Sequence, residues 1–418
     1  MRSWDISETW QARACVLDEA AFFEDLPATP FAFLYGEGRW LILGEDPLLE
    51  LEDLAPGELR FHRRGEAPEV LPDLVALAAY EHGYALDPAL PAPPPHGDPV
   101  PDVRLTLHRR MRVYDRARGV LHTAVREGVP AGPARHSLGR GAWRARKTGD
   151  TEDAASHMAK VARIREEIAR GNVYQANLTR QETWAFEGAL DRLARRLHAA
   201  NPAPYSALVA DPLWTLVSSS PECFLRIGGG RLLTRPIKGT APRHGDPARD
   251  LAAARDLLAS AKDRSELAMI VDLLRNDLGR FCAPPPVRVD AFALLESYAN
   301  VHHLAADVSG TLPPSWTFGE LLASLFPGGS ITGCPKMAAM ALIRELEPAP
   351  RRLYTGTLGW LRSDLGQGEF AILIRSAWAA GSELRFGVGG GVVWDSDPAA
   401  EYEETVHKGR SLVQCLRS

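Results

Sequence analysis

The 418-residue chain has few cysteines and no long apolar segment. Its five cysteines are odd in number and scattered, and none forms a CxxC pair, which argues against a disulfide framework or a cysteine-based zinc or redox centre. No apolar run reaches the roughly 18 residues needed to cross a bilayer, and the first residues lack the apolar core of a signal peptide. We therefore expect a cytoplasmic protein with reduced thiols and no membrane partner.

An excess of one charge is also missing. The net charge is -5, and the 48 basic residues form no large block, which argues against a nucleic-acid partner. An anionic substrate would therefore have to be held by local donors rather than by the overall field of the protein. The hydrophobic content of 45% is ordinary for a soluble globular chain of a length that can bury a large core.

Hydrophobic patterning changes near residue 150. Before it, the chain is typical of short strands and turns, with one short helix predicted over Leu71–Tyr84 and an irregular proline-rich stretch at Pro88–Pro101. The segment Gly128–Gly149 is predicted to be a surface connection. From Thr151 onward, helices and antiparallel-looking strand pairs are interspersed without strict βαβ order, so we predict an α+β fold.

Two acidic pairs could bind a metal ion. Asp263 and Glu266 are three residues apart on a probable helix, as are Glu401 and Glu404, so each pair lies on one helix face. Carboxylates from two helices form a hard oxygen site of the kind that suits Mg²⁺. The alternative for either pair alone is an ordinary solvated helix face.

Two glycine-rich stretches could bind an anion. The run Phe386–Val393 is predicted to lie between two strands, where backbone amides can form a nest; a flexible turn or bulge is the alternative. Val392 replaces the third glycine of a dinucleotide fingerprint. In the loop Phe326–Lys336, Cys334-Pro335 replaces the Lys-Ser/Thr of a phosphate loop. We therefore reject nucleotide binding, although the amides and hydroxyls of this loop suit a carboxylate.

Lys238 and Glu222 are candidates for covalent and acid catalysis. Lys238 lies in the Pro/Gly-containing stretch Arg235–Thr240, and burial or a nearby cation would lower its pKa enough for it to act as a nucleophile. Glu222 in an apolar pocket could stay protonated and act as an acid. The alternative for Lys238 is a solvated loop charge. Arg375 follows an apolar run and would need an anionic partner if buried; His303 alone is more often a structural histidine.

These segments occur in the order, and at nearly the spacing, found in chorismate-utilising enzymes, which the region 151–416 closely resembles. The branch of closest resemblance is aminodeoxychorismate synthase component I. The resemblance implies an N-terminal part, 1–145, packed on a chorismate-binding catalytic region, 151–416, and two orthogonally packed antiparallel β-sheets surrounded by helices. The motifs that carry it are Gly171–Leu178, Ser219–Glu222, Lys238–Thr240, Lys262–Glu266, Met269–Asp277, Val301–Leu304, Ser330–Lys336 and Asp395–Pro398.

The resemblance also implies a site. Mg²⁺ would be held by Glu266 and Glu404, with Asp263 and Glu401 reaching it through water. Glu222 resembles the acid that protonates the departing C4 hydroxyl of chorismate. The positions that resemble substrate-binding residues are Thr240, His303, Ser330, Thr332, Gly333, Tyr354, Arg375, Gly389, Gly390, Gly391 and Lys408.

Two positions separate the branches of this group. Gln175 stands where isochorismate and salicylate synthases typically carry a water-activating lysine, and Lys238 stands where anthranilate synthases typically have alanine. The resemblance therefore implies amination of chorismate at C4 through a lysine-linked intermediate, on the way to 4-aminobenzoate and folate. Ammonia would come from a separate glutamine amidotransferase subunit. The alternatives are anthranilate synthase component I and an inactive chorismate-binding paralogue.

Overall fold

The structure, a computed structural model, describes residues 3–16, 31–36, 38–55, 57–128, 144–188, 190–298 and 301–417. The helices are α1 His82–Ala85, α2 Ala154–Ala169, α3 Asp191–Ala200, α4 Pro247–Ala259, α5 Ala261–Phe281, α6 Phe318–Leu325, α7 Lys336–Leu346 and α8 Pro398–Arg417. The strands are β1 Trp4–Ala14, β2 Phe31–Gly36, β3 Trp40–Leu51, β4 Leu59–Gly65, β5 Leu74–Ala78, β6 Val103–Asp115, β7 Val120–Glu127, β8 Arg144–Asp150, β9 Gln175–Glu187, β10 Tyr205–Ala210, β11 Trp214–Ser220, β12 Cys223–Gly228, β13 Arg231–Arg235, β14 Ile237–Pro242, β15 Ala283–Ser297, β16 Val301–Thr311, β17 Gly333–Cys334, β18 Thr357–Leu361, β19 Gly368–Ile372, β20 Ser376–Ala380 and β21 Glu383–Val392.

The strands form one large network with two arms that meet at β6. The first arm runs β8-β9-β21-β20-β11-β10-β2-β3-β6-β7-β1-β4. The second arm leaves the first half of β6 and runs β5-β18-β19-β12-β13-β16-β15, with β14 beside β13 on the same edge of β16. Among the described residues, every pairing is antiparallel except that of β1 with β4.

Alternating side chains place the two arms face to face. In β2, Leu34 packs in a core formed with strands β5 and β18 of the second arm, whereas Phe33 packs in a core that includes α3 and α8. A third core lies between the second arm and helices α5 and α6. The layers are therefore helices, first arm, second arm and helices, because each sheet face must bury its apolar side chains against another layer. The α+β class and its antiparallel strands are confirmed; an orthogonal crossing of two separate sheets stays a prediction.

Local capping sets where the two acidic helices begin. Helix α5 starts after Ser260, whose hydroxyl accepts a hydrogen bond from the Asp263 amide at 3.2 Å. Near the start of α8, the Asp397 carboxylate accepts a hydrogen bond from the Ala400 amide at 2.9 Å. Each cap fixes the first turn of its helix, and with it the direction of the carboxylates that follow.

The helix predicted over Leu71–Tyr84 is wrong. The structure has β5 at Leu74–Ala78, between β6 and β18, followed by the four-residue α1. All five residues of β5 are buried. A strand covered on both faces has no polar alternation, so its sequence cannot be separated from a buried helix by periodicity.

The predictions for two irregular segments have different outcomes. The irregular stretch Pro88–Pro101 is confirmed, since it forms no helix or strand. The connection predicted for Gly128–Gly149 is wrong over residues 144–149, which belong to β8 and pair with β9; residues 129–143 lie outside the described part. In the described residues, no helix is both long and apolar enough to span a membrane.

Candidate active site

Glu222 lies at the centre of the predicted site residues. It is buried between β11 and β12, and the Ser330 hydroxyl donates a hydrogen bond of 2.6 Å to its Oε1. Burial raises the pKa of Glu222, although Ser330 and the nearby charges of Lys238, Lys408 and Arg375 each lower it. A carboxyl group with this balance keeps its proton to higher pH than an exposed glutamate, as a general acid requires.

Lys238 lies in strand β14 rather than in a loop. The register against β16 shifts between Lys238 and Thr240, so Gly239 forms a bulge there with φ of 68°. A β-carbon at Gly239 would lie 3.0 Å from Cβ and Cγ of Asp263, so only glycine lets this strand approach α5 so closely. The bulge therefore brings Lys238 to the first acidic pair.

The amine of Lys238 has lost part of its preference for the charged form. Lys238 is half-buried. Burial lowers the pKa of Lys238, Glu222 acts in the opposite direction, and Lys408 lowers it further. Because burial moves the pKa of Lys238 down and that of Glu222 up, it favours the uncharged form of both groups, which is the pairing of a nucleophilic amine with a proton donor.

His303 presents an acceptor without a partner. Its Nδ1 lies 3.1 Å from the Gly239 carbonyl and 3.0 Å from the Thr240 hydroxyl. A carbonyl can only accept, so Nδ1 carries the proton and Nε2 is an acceptor. Burial lowers the pKa of His303 to about 4, and its buried Nε2 has no hydrogen-bond partner among the described residues. Such an atom is suited to a ligand that donates a hydrogen bond.

Arg375 presents cationic donors without a partner. It lies in the short break between β19 and β20, just before β20 begins, and has φ of 50°. Within the described part of the chain, its guanidinium has no hydrogen bond, and Glu222 is the charge that raises its pKa while burial lowers it. A mostly desolvated guanidinium without an ion pair indicates an anion site.

Tyr354 is a further predicted site residue that lies near Glu222. It is buried against Gly387, where a β-carbon would lie 2.2 Å from the Tyr354 ring. Burial raises the pKa of Tyr354, to which Glu222 also contributes. The phenol therefore stays protonated at neutral pH and can donate a hydrogen bond.

The glycine run predicted between two strands lies inside one strand, so the nest and turn interpretations are wrong. Gly389, Gly390 and Gly391 belong to β21 and pair with β9, and none has a positive φ. They are needed because other groups occupy their side-chain positions. A β-carbon at Gly391 would lie 2.4 Å from Nε2 of Gln175, and one at Gly390 would lie 3.1 and 3.2 Å from the carboxylate oxygens of Glu401 and Glu404.

Part of this strand remains open to a ligand. β21 pairs with β20 only over Glu383–Phe386, whereas its pairing with β9 continues to Val392. In an antiparallel strand, alternate amides point to opposite edges. From Gly387 onward, alternate backbone amides therefore face an edge with no strand beside it among the described residues.

The predicted site residues in the loop before α7 differ in whether they contact the buried acid Glu222. Ser330 donates to Glu222, but the Thr332 hydroxyl is fully buried and donates to the Gly328 carbonyl at 3.0 Å. Gly333 lies in β17 with φ of 149°, packed on the backbone of Gln175. Thr332 and Gly333 therefore hold this loop along the start of β9, and their predicted contact with substrate stays a prediction.

The second acidic pair is embedded in a charged network. The Lys408 ammonium lies 2.5 Å from Oε1 of Glu404 and donates to the Gly389 carbonyl at 2.9 Å. Burial opposes ionisation, but Lys408, with Lys238 and Lys262, outweighs it and lowers the pKa of Glu404. Burial and the Glu404 charge raise the pKa of Glu401, against a hydrogen bond from Ser396.

A comparison with protein families matches residues 40–414 to the chorismate binding enzymes. The chain belongs to the chorismate-binding enzyme family. Its relatives include aminodeoxychorismate synthase component 1 of Klebsiella aerogenes, 40% identical over 277 residues, covering 66% of this chain and 60% of that protein. Anthranilate synthase component 1 of Streptomyces coelicolor is 40% identical over 288 residues, covering 69% and 55%. The matches thus span less than two thirds of these curated relatives, and their identities do not separate the two activities.

Solved structures of the family share the fold. The menaquinone-specific isochorismate synthase of Escherichia coli superposes with a TM-score of 0.76 at 19% identity, over 99% of this chain and 95% of that one. Anthranilate synthase component I of Streptococcus pneumoniae gives a TM-score of 0.73 at 24% identity, over 90% and 92%. At these identities the likeness shows the fold alone.

The four carboxylates of this family member fit Mg²⁺ by donor type. Among the described residues, no three metal-ligating side chains converge on one point. Mg²⁺ does not need such a cage, because it keeps several waters and takes one or two protein carboxylates. The carboxylate oxygens of Glu401 and Glu404 both lie next to the position that a side chain at Gly390 would occupy. Glu266 and Glu404 both raise the pKa of Lys238. Hard oxygen donors thus face the site from both acidic helices, α5 and α8.

Ser396 is a site residue that sequence reasoning did not single out. Its hydroxyl donates to Oε1 of Glu401 at 2.6 Å and accepts from the Val393 amide at 3.0 Å. It therefore links the end of β21 to the second acidic pair. The available signal was a serine two residues before the proline that opens a helix, and five residues ahead of a glutamate.

Proposed function

We propose that this protein is an aminodeoxychorismate synthase component I, which converts chorismate and ammonia to 4-amino-4-deoxychorismate and water. The observation that carries the proposal is the half-buried Lys238 beside the buried Glu222, with their pKa values moved in opposite directions. An amine that can lose its proton and an acid that can keep one are the two groups that a lysine-linked amination needs.

The reaction then has two displacements. In the first, the Lys238 amine attacks C2 of chorismate, the ring double bond shifts, and the C4–O bond breaks. Glu222 gives its proton to the departing oxygen, which leaves as water, and the new ammonium at C2 returns a proton to the Glu222 carboxylate. In the second, ammonia attacks C4, the ring double bond shifts back, and the bond from C2 to the Lys238 nitrogen breaks as Glu222 protonates that nitrogen. The new ammonium at C4 then gives a proton to Glu222, so both the lysine amine and the acid are restored.

The unpartnered groups of the site supply the binding contacts in this proposal. Chorismate carries two carboxylates, and Arg375 provides a desolvated guanidinium while Tyr354 provides a protonated phenol. The bare Nε2 of His303 can accept a hydrogen bond from the substrate hydroxyl. Thr240, Lys408 and the open edge of β21 lie around the same centre.

Mg²⁺ is the proposed cofactor, with Glu266 and Glu404 as ligands and Asp263 and Glu401 acting through water. When bound, it would neutralise and orient the ring carboxylate of chorismate. The residues of the chain do the rest: Lys238 forms and breaks the bond to carbon, and Glu222 moves the proton.

Replacing Glu266 with glutamine tests the metal assignment. The amide keeps the shape but removes a charged oxygen ligand, so we expect Mg²⁺ to bind at least about 10-fold more weakly, with a matching rise in the Mg²⁺ concentration needed for activity. Isothermal titration with MgCl₂ measures the first effect. The matched control is Glu403→Gln, an exposed glutamate on α8 that should behave as wild type. Unchanged Mg²⁺ dependence in Glu266→Gln would remove Glu266 from the proposed site.

The ammonia is proposed to come from a separate glutamine amidotransferase. The curated relatives are named component 1, which implies a further component for those proteins. High ammonium should replace that partner in vitro, because ammonia is the reactant in either case.

Incubation with chorismate, MgCl₂ and ammonium distinguishes the candidate activities. We expect chorismate to disappear and a product that yields 4-aminobenzoate only after a separate lyase is added. Fluorescent anthranilate formed without a lyase would instead establish the anthranilate synthase activity, which the equal identity to the Streptomyces coelicolor protein keeps as the second candidate. Chorismate binding without any turnover would identify an inactive paralogue.

A further inference from the structure

Helix α8 carries three site groups on one face, so its placement sets their direction. Glu401, Glu404 and Lys408 are spaced i, i+3 and i+7. The buried positions of the same helix include Thr405 and Gly409, and a β-carbon at Gly409 would lie 3.3 Å from Val388 of β21. The helix therefore lies close against the sheet that bears the glycine run.

One buried arginine of the sheet holds this part of the helix. Arg180 is in β9, opposite Val388, and its Nε donates a hydrogen bond of 2.8 Å to the Thr405 hydroxyl. Its guanidinium carbon lies 5.4 Å from the centre of the Tyr402 ring. The Thr405 hydroxyl in turn donates to the Tyr402 carbonyl at 2.7 Å. Arg180 thus contacts the residues on both sides of the 403–404 segment.

The arginine is itself fixed from the sheet side. Its NH1 donates to Asp150 at 3.0 Å and to Glu182 at 3.3 Å. A guanidinium bound to two carboxylates has little rotational freedom, and buried charges are stable only when paired and hydrogen-bonded in this way. Since β9 also pairs with Gly390 in β21, one rigid ladder carries both the arginine and the backbone beneath the second acidic pair.

We propose that Arg180 is a positioning residue, which acts through Thr405 to hold Glu401, Glu404 and Lys408 toward the site. The proposal rests on the proposed function, because it takes Glu404 as a Mg²⁺ ligand. A partner that orients a ligand without touching the metal typically changes metal affinity by about 10- to 100-fold when removed.

Thr405→Val tests this role, because valine keeps the volume but removes the acceptor from Arg180. We expect about 10-fold weaker Mg²⁺ binding by isothermal titration without substrate, and a larger rise in KM for chorismate than fall in kcat. Thr405→Ser restores the hydroxyl and should bind Mg²⁺ as wild type does. Thr357→Val is the matched control, since Thr357 is also fully buried and donates to the Ala371 carbonyl at 2.8 Å in the second arm. It should leave Mg²⁺ affinity unchanged even where it lowers the melting temperature.

The outcomes separate this inference from the proposed function. Wild-type affinity in a folded Thr405→Val protein would overturn the positioning role alone. Failure of the wild-type protein to bind Mg²⁺, with or without chorismate, would overturn both the metal assignment and the inference. If Thr405→Val does not fold, Thr405→Cys replaces it, because a thiol is a weak acceptor. Its Mg²⁺ affinity should fall below that of Thr405→Ser, and equality with the serine variant would contradict the proposal.

Discussion

Replacing Lys238 with alanine should reduce amination of chorismate at C4 by about 10³-fold or more, because the group that forms the bond to carbon is gone. The effect should appear in kcat, since the lysine acts in the bond-making step. The fold should persist, because Lys238 is half-buried on β14 and the cores do not include it. The measurement is chorismate consumption at saturating ammonium, with product identified by chromatography.

A second substitution separates nucleophilic from electrostatic roles of the same lysine. Lys238→Arg keeps the positive charge but presents a guanidinium that stays protonated and does not attack carbon. We expect it to be as inactive as Lys238→Ala. Recovery of most of the activity in the arginine variant would show that the charge alone is needed. Without ammonia, the wild-type protein should accumulate an adduct on Lys238 with the mass of chorismate minus one water, and neither variant should form it.

Glu222→Gln is the second change with a large expected effect. The amide has the same shape but cannot give a proton to the departing hydroxyl, and loss of a general acid typically costs about 10²- to 10⁴-fold in rate. Burial of the neutral amide should be tolerated, because Ser330 can still donate to its oxygen. The measurement is kcat with chorismate. Activity within a few-fold of wild type would exclude Glu222 as the acid.

The pH dependence follows from the same two groups. Burial raises the pKa of Glu222, so its protonated form is kept to higher pH than in an exposed glutamate. Activity that needs this acid is lost as pH rises through the raised pKa. Burial lowers the pKa of Lys238, so the free amine appears at lower pH than in an exposed lysine and is lost as pH falls through that value. We expect a bell-shaped profile whose two apparent pKa values belong to the pair, and Glu222→Gln should leave one limb.

Ser330 offers an internal check on whether Glu222 contributes to this profile. Its hydrogen bond lowers the pKa of Glu222, so Ser330→Ala should move to higher pH the limb that Glu222→Gln removes. A profile that does not move in the Ser330→Ala protein would mean that Glu222 does not set either limb.

The sequence predicted the family and the α+β class, because these depend on motifs and local patterns. Helix α2 ends on such a local signal, since Gly171, with φ of 78°, directly follows its C-cap Arg170. The long hairpin of β15 and β16 was not predicted, since β15 begins with three prolines and is largely exposed, so it lacks the alternation of a half-buried strand.

The geometry of the site could not be predicted in the same way. The unpartnered state of Arg375 and of His303 Nε2 depends on which carboxylates and carbonyls other segments bring near them. The glycines of β21 were interpreted as an amide nest or a flexible turn, yet they are constrained strand positions whose side-chain space is taken by Tyr354, Gln175 and the second acidic pair. The sequence shows where each glycine is, but only the packing around it shows which neighbouring group occupies the space that a side chain would fill.

Gly390 turns that observation into a diagnostic for other chains. Any side chain there would start 3.1 Å from Oε2 of Glu401 and 3.2 Å from Oε1 of Glu404, tighter than ordinary contact, so the carboxylates would have to shift to admit it. We expect a homologue that keeps both glutamates but carries a larger residue at the corresponding position to have lost this arrangement of carboxylates, and with it catalytic activity. The residue at this one position can therefore be used to select homologues for activity assays.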